Sequence, residues 1–219
     1  MKIITRYATK FDIPTIAHIN IQSFAGQGFI SNAFPNISYD IVHPLKCARY
    51  AQKIAHPQTH VLTAEDADSG AVLGCTRWVF PSGNEEESPA AAAAETGVEL
   101  SLPEGVNREI YDGFFEILKE KGKRYFREDD IVLEYLATDP KAQRKGVGKA
   151  LLRWGMDKAD QQQKRIYLEA TTEGFPLYAA MGWKALDTVE IDYEQWGGKG
   201  KQELTLMIRD PLPSFNSSD

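Results

Sequence analysis

The run Ile131-Val132-Leu133-Glu134-Tyr135-Leu136-Ala137 has the length and the β-branched and aromatic content of a buried strand. Thr138-Asp139-Pro140 stops it, and Gln143-Arg144-Lys145-Gly146-Val147-Gly148-Lys149 follows, two glycines set among three cations. Next comes a strongly periodic helix, with Gly148, Leu151, Leu152, Gly155, Met156 and Ala159 on one face and Lys149, Arg153, Asp157 and Asp160 on the other. Strand, glycine-rich basic turn and helix N-terminus together form an anion-binding device. Unpaired backbone N–H groups and the positive end of the helix dipole converge there.

Several glycine-rich turns bind anions, and the neighbouring residues separate them. A P-loop requires G-x-x-x-x-G-K-[ST]; here Gly148-Lys149 is followed by Ala150, and Gln143 stands at the earlier glycine position. A dinucleotide fingerprint requires a third small residue after Gly146 and Gly148, and that position is Leu151. What remains is Q-x-x-G-x-G between a strand and a helix, with Leu177-Tyr178-x-x-x-Gly182-Trp183 further on. This combination resembles the acyl-CoA signature of the GNAT superfamily of N-acyltransferases.

The resemblance implies an α/β (α+β) fold. Its mixed, mostly antiparallel twisted sheet has about seven strands, within the ordinary size of open sheets. That sheet splays between strands 4 and 5 and is flanked by helices. It further implies direct transfer of an acetyl group from acetyl-CoA, as co-substrate and without a metal, to an amine. The peptide-like arm of the cofactor would pair with the edge of the fourth strand at Leu136, Ala137 and Thr138. The turn Gln143, Arg144, Lys145, Gly146, Val147, Gly148 and Lys149 would hold its pyrophosphate. Exposed strand-edge N–H and C=O groups want such a partner. Arg153, further along, reads as a solvated helix face.

Tyr178 stands at the position of the family's general acid. A phenol of pKa about 10 is well matched to a thiol leaving group of about 8.5; the competing reading is a packed aromatic. For the general base, Glu134 leads because it interrupts an apolar run where burial would raise its pKa. Glu169 on the next strand is the rival, a water relay is a third route, and either carboxylate could instead form a structural ion pair. The family often carries an asparagine at the position of Thr171. A threonine there can still hydrogen-bond, but its place among the cofactor-binding residues is open. A backbone N–H of the splayed strand is the natural oxyanion donor.

Working outward, the chain's 219 residues suit a single domain over 1–210, with a flexible insertion over 81–105 and a disordered tail over 211–219. The insertion is marked by Glu85-Glu86-Glu87 and five successive alanines. A first strand at Ile3 to Tyr7 leads to a helix capped by Asp12. Ala25 to Pro44 reads as a long loop, and a second helix is expected from Leu45 to Ile54. Thr59 to Glu65 and Ala71 to Phe80 form a hairpin, and Asn107 caps an amphipathic helix with Phe114-Phe115 more in the core than in a substrate wall. Arg165 to Ala170 reads as a strand parallel to the Ile131–Ala137 strand, because a helical crossover joins them. A short helix over Pro176 to Met181 and an antiparallel pair complete the order.

The net charge of −6 argues against nucleic acid as a partner, for which a basic face supplies most of the affinity. No apolar run reaches membrane-span length, and no signal-peptide h-region is present. Cys47 and Cys75 read as free, buried thiols, and a cytoplasmic, reducing location is the default. The partners expected are acetyl-CoA and an amine acceptor, with a monomer or homodimer. The acceptor pocket is assigned to the Ala25–Pro44 loop, the Asn107 helix and the Tyr193–Lys201 turn. The acidic balance and Glu134 suggest a cationic acceptor. A transferase for another acyl-CoA and a non-catalytic acyl-CoA-binding module are the alternatives.

Overall fold

The computed structural model describes residues 1–81 and 101–213. Most of the insertion expected over 81–105, and the tail beyond Pro213, lie outside the described residues. Leu212 is held in place, its backbone N–H donating to Asp160 Oδ1 (2.8 Å) and its carbonyl accepting from Gln163 Nε2 (2.8 Å).

Among the described residues, seven strands form one mixed sheet: β1 (Ile3–Tyr7), β2 (Thr59–Asp66), β3 (Val72–Val79), β4 (Ile131–Thr138), β5 (Ile166–Thr171), β6 (Lys184–Asp192) and β7 (Lys201–Arg209). Their order is β1-β2-β3-β4-β5-β7-β6, and the β4–β5 pair is parallel while the other pairs are antiparallel. The reason lies in connection length. Turns can join antiparallel neighbours, whereas β4 and β5 need the helix α5 (Val147–Gln161) to cross over between them.

The two faces of the sheet are covered differently. On one, α5 packs Leu151, Leu152 and Ala159 against Leu62, Trp78, Leu133 and Leu168, joined by Tyr178 from α6 (Phe175–Ala180). Gly155 makes this approach close: a Cβ there would lie 2.4 Å from the Trp78 ring. On the other face, α1 (Ile13–Phe24) and α3 (Tyr39–Ala55) cover β2 to β4 through Ile16, Tyr50, Val61 and Ala137. Beside them, α2 (Gly28–Ala33) and α4 (Arg108–Gly122) cover the β5–β7–β6 half through Phe114, Tyr167, Val189 and Leu206. The α5 helix is thus continuous over its face, and the opposite face carries two separate helical halves.

Several local expectations are corrected. The segment Ala25–Pro44 is no long loop: it contains α2 and the first turns of α3, which starts at Tyr39 and runs through Pro44. A proline breaks a helix by removing one N–H and crowding the preceding turn; here α3 accepts it near its start. Asp12 begins α1 without capping it, because its carboxylate is taken by Arg6 (2.8 and 2.9 Å) and by the Thr9 N–H (2.7 Å). The cap at Asn107 is as expected, its side chain accepting from Ile110 N–H at 3.1 Å.

Candidate active site

The sheet opens at one place. β4 and β5 pair at Ile131–Ile166, Val132–Tyr167 and Leu133–Leu168, and no further. On its other side β4 pairs Leu133 with Trp78 and Tyr135 with Arg77, so Glu134 is an extra residue with no counterpart on β3. A bulge bends its strand and re-aims the side chains beyond it. Bulge and splay therefore fall on the same residue, and Glu134 belongs to neither ladder.

Past Leu133, the edge of β4 that faces β5 has no ladder partner among the described residues. Leu136 and Ala137 lie along it, and the Thr138 carbonyl already accepts from the Ser23 hydroxyl at 2.9 Å. Beyond the strand end, Gly146 (φ +90°) begins α5 and Arg144 has φ +63°. The first helical bond of this turn is from Ala150 N–H to Gly146 C=O at 3.0 Å. The N–H groups from Arg144 to Lys149 have no acceptor among the described residues. Gly148 brings the turn against the splay: a Cβ there would lie 2.9 Å from Leu177 and 3.4 Å from Leu136. Of the cations, Lys145 donates to the Lys141 carbonyl at 2.8 Å, while the Gln143, Arg144 and Lys149 side chains are exposed.

Between the two helical halves lies a cleft of about 620 Å³, within the ordinary size of small-molecule sites. Its floor is the splay: Glu134, Leu136, Glu169, Thr171 and Tyr178 all line it. One wall is α2 and α4, with Phe29, Tyr111, Phe114 and Phe115 in ring contact at centroid distances from 4.1 to 5.8 Å. The other wall is α3, presenting Lys46, Arg49, Tyr50 and Lys53 at helical spacing. Gln202 and Leu204 of β7 close the end.

Each ionisable group has a definite environment. Arg77 and Lys53 both pair with Glu134, Lys53 at 3.8 Å. Glu169 is exposed in the cleft, with protein crowded around its carboxylate. Burial raises its pKa, the 3.2 Å bond from the Tyr167 hydroxyl works to lower it, and the charge of Glu134 raises it further. The Tyr178 hydroxyl has no hydrogen-bond partner among the described residues, and burial pushes its pKa up, so it keeps its proton at neutral pH. Burial beside Arg49 and Arg77 pushes the Lys46 ammonium down to about 8. Thr171 turns its hydroxyl to the Gly174 N–H at 3.2 Å, which fixes the start of α6.

The sequence-based residues therefore fall into two adjoining groups. Glu134, Leu136, Thr171 and Tyr178 meet in the cleft, and residues 143–149 form the open turn beside it. Three parts of the pocket differ from expectation. The Phe114-Phe115 pair is wall as well as core, because α4 turns one ring inward and leaves Phe115 49% exposed at the cleft. The Tyr193–Lys201 turn is replaced by Gln202 and Leu204, since Tyr193 is buried in the core and Trp196 packs on Gly113. The α3 wall was missed altogether, although Lys46, Arg49 and Lys53 at i, i+3 and i+7 form a legible cationic stripe.

Comparison with known proteins agrees with this architecture. The structure described as "histone acetyltransferase HPA2 and related acetyltransferase" of Corynebacterium glutamicum superposes with a TM-score of 0.63 at 21% identity, covering 98% of this chain and 99% of that one. The putative acetyltransferase yncA of Salmonella typhimurium, solved with acetyl-CoA, superposes with a TM-score of 0.52 at 19% identity, covering 99% and 98%. These likenesses define the fold as that of the GNAT N-acetyltransferases. In sequence, a Stachybotrys chartarum protein called Acetyltransferase is 21% identical over 195 residues, 86% of this chain and 84% of its own. Residues 104–185 match the family model described as "Acetyltransferase (GNAT) domain". The match to the GNAT acetyltransferase domain thus extends over residues 104–185, and the likeness of the remainder is one of fold.

Proposed function

We propose that the protein is an N-acetyltransferase that moves an acetyl group from acetyl-CoA to an amine while both are bound. The observation that carries this reading is the continuity of three features. An open N–H turn at Arg144–Lys149 adjoins an unpaired β4 edge, and that edge floors a cleft holding a protonated phenol and a carboxylate of raised pKa.

The residues present fit an acyl-CoA. Free N–H groups at the start of α5 suit a pyrophosphate, and the free edge at Leu136 and Ala137 suits an amide-bearing arm. When bound, acetyl-CoA supplies an acyl group activated as a thioester. The chain does the rest. The turn binds and orients, the aromatic wall excludes water, and an N–H of the β4 edge is placed to stabilise an oxyanion. Tyr178 holds at Oη the proton that a departing thiolate requires.

Glu169 takes a proton from the incoming ammonium. What supports Glu169 over Glu134 in this role is pairing. Arg77 and Lys53 already occupy the Glu134 carboxylate as ion-pair partners, whereas Glu169 lacks a cationic partner among the described residues and has its pKa raised. Glu134 then acts as a fixed negative charge that keeps its neighbour basic. The test is release of free CoA thiol from acetyl-CoA across a panel of amines. Acetyl-CoA binding without thiol release from any amine would sink the transferase reading in favour of a binding module.

A further inference from the structure

The cleft is charged in a way that the acidic chain does not lead one to expect. Four cations line it, Lys46, Arg49, Lys53 and Arg77, against the carboxylates of Glu134 and Glu169. Glu134 is already shared by Arg77 and Lys53. Arg49 meets only a neutral group, donating to the Tyr111 hydroxyl at 2.9 Å with its guanidinium 5.5 Å from the Tyr111 ring centroid. Lys46 has no ion-pair or hydrogen-bond partner among the described residues. An ammonium enclosed by protein and left unpaired is costly. Two uncompensated cations, one helical turn apart on α3, face the same volume as an aromatic wall.

We propose that the acceptor is an amine that also carries a carboxylate, bound by Lys46 and Arg49, with an apolar body against Phe29, Phe114 and Phe115. The inference rests on the transferase reading and names the substrate class of that site. It departs from the expectation of a cationic acceptor, which follows from the acidic composition and from Glu134. Composition averages over the whole surface, whereas α3 concentrates its cations on one face. The amine end belongs toward Glu169, across the cleft from α3. An arriving carboxylate also stabilises the charged form of Lys46, which enclosure and its cationic neighbours oppose. The phosphates of the donor have their own cradle at Arg144–Lys149, outside this cleft.

Two matched measurements test it. In turnover, L-phenylalanine is compared with phenethylamine, and L-leucine with isoamylamine, each pair differing by the carboxylate alone. The amino acids are expected to have kcat/KM about tenfold higher or more, as for one charge-assisted contact. Lys46→Met and Arg49→Met should each erase most of that preference while leaving KM for acetyl-CoA unchanged. Equal turnover within both pairs overturns the proposal, and so does a Lys46→Met variant that raises KM for acetyl-CoA alone, since the cations would then serve the donor. In binding, 3-phenylpropionate, which has no amine to react, is titrated calorimetrically against the wild type and Lys46→Met. Binding that weakens about tenfold in the variant supports the carboxylate site even if no amine is turned over, and failure would then rest with the transferase reading alone. No binding to a folded wild type overturns it.

Discussion

Glu134 and Glu169 are the first residues of β4 and β5 beyond their last paired positions, Leu133 and Leu168, so the two carboxylates flank the point where the sheet opens. They differ in what holds them. Glu134 is tied to Arg77 and Lys53, and Glu169 receives a bond from the Tyr167 hydroxyl. The negative charge of one helps to raise the pKa of the other. A carboxylate whose pKa is raised by burial and a charged neighbour is a sound candidate for a base.

That coupling predicts a pH dependence. A base must be deprotonated, so kcat/KM is expected to fall as pH drops through the raised pKa of Glu169. Glu169→Gln should remove this acid limb and lower kcat on the order of 100-fold. Glu134→Gln removes a repelling negative charge and frees Arg77, and both changes favour the charged form of Glu169. The limb should therefore move to lower pH. A pH–rate profile for the three proteins decides the matter; a limb unmoved by Glu134→Gln would show that the carboxylates act independently.

Tyr178→Phe is expected to lower kcat on the order of 100-fold with little change in KM for acetyl-CoA. Because the hydroxyl has no partner among the described residues, the folded state loses no bond, and stability should stay within about 0.5 kcal/mol of the wild type. Steady-state kinetics and urea unfolding on one preparation check both. A loss confined to acetyl-CoA affinity would remove the acid role.

Gly146 is required for its backbone. At φ +90° a side chain is strained, by about 1–3 kcal/mol for a branched one, although a Cβ would find its nearest neighbour, Ile3, at 3.9 Å. Gly146→Val should therefore distort the open N–H turn and raise the Kd for CoA at least tenfold, measured by calorimetry. Unaltered affinity would mean that the turn does not hold the donor.

Gly155 is required for its size. Alanine would bring Cβ to 2.4–2.5 Å from the Trp78 ring, and Trp78 is fully buried. Overpacking of this kind costs about 1–3 kcal/mol, against a helix-propensity gain of about 1 kcal/mol. Gly155→Ala is expected to lower Tm by a few degrees, with CoA affinity little affected. A raised Tm would show that the Trp78 ring shifts aside at no cost.

The strand–turn–helix from Ile131 to Gln161 was legible because each part is a local pattern: an apolar run, a glycine where φ is positive, and a helical period over four turns. The parallel β4–β5 pair followed from the crossover, and Asn107 was legible as a cap because capping acts within a few residues. Elsewhere local rules failed for stated reasons. Pro44 and the glycines of residues 25–44 read as loop, yet Phe29 and Phe34 draw α2 against α4, and that packing outweighs propensity. Asp12 looked like a cap and instead holds Arg6 across the start of the chain.

The sequence by itself determined the open turn and its glycines, which follow from hydrogen-bond geometry within a short segment, while Tyr178 was reached through the family resemblance. Tertiary structure alone decided the shape and charge of the cleft. The bulge that frees Glu134, the arrest of pairing at Leu133 and Leu168, and the facing of α3 cations against α4 aromatics all join residues far apart in the chain. Charge and burial act through space, so a carboxylate's role depended on whether Arg77 reached it, which no spacing along the chain records.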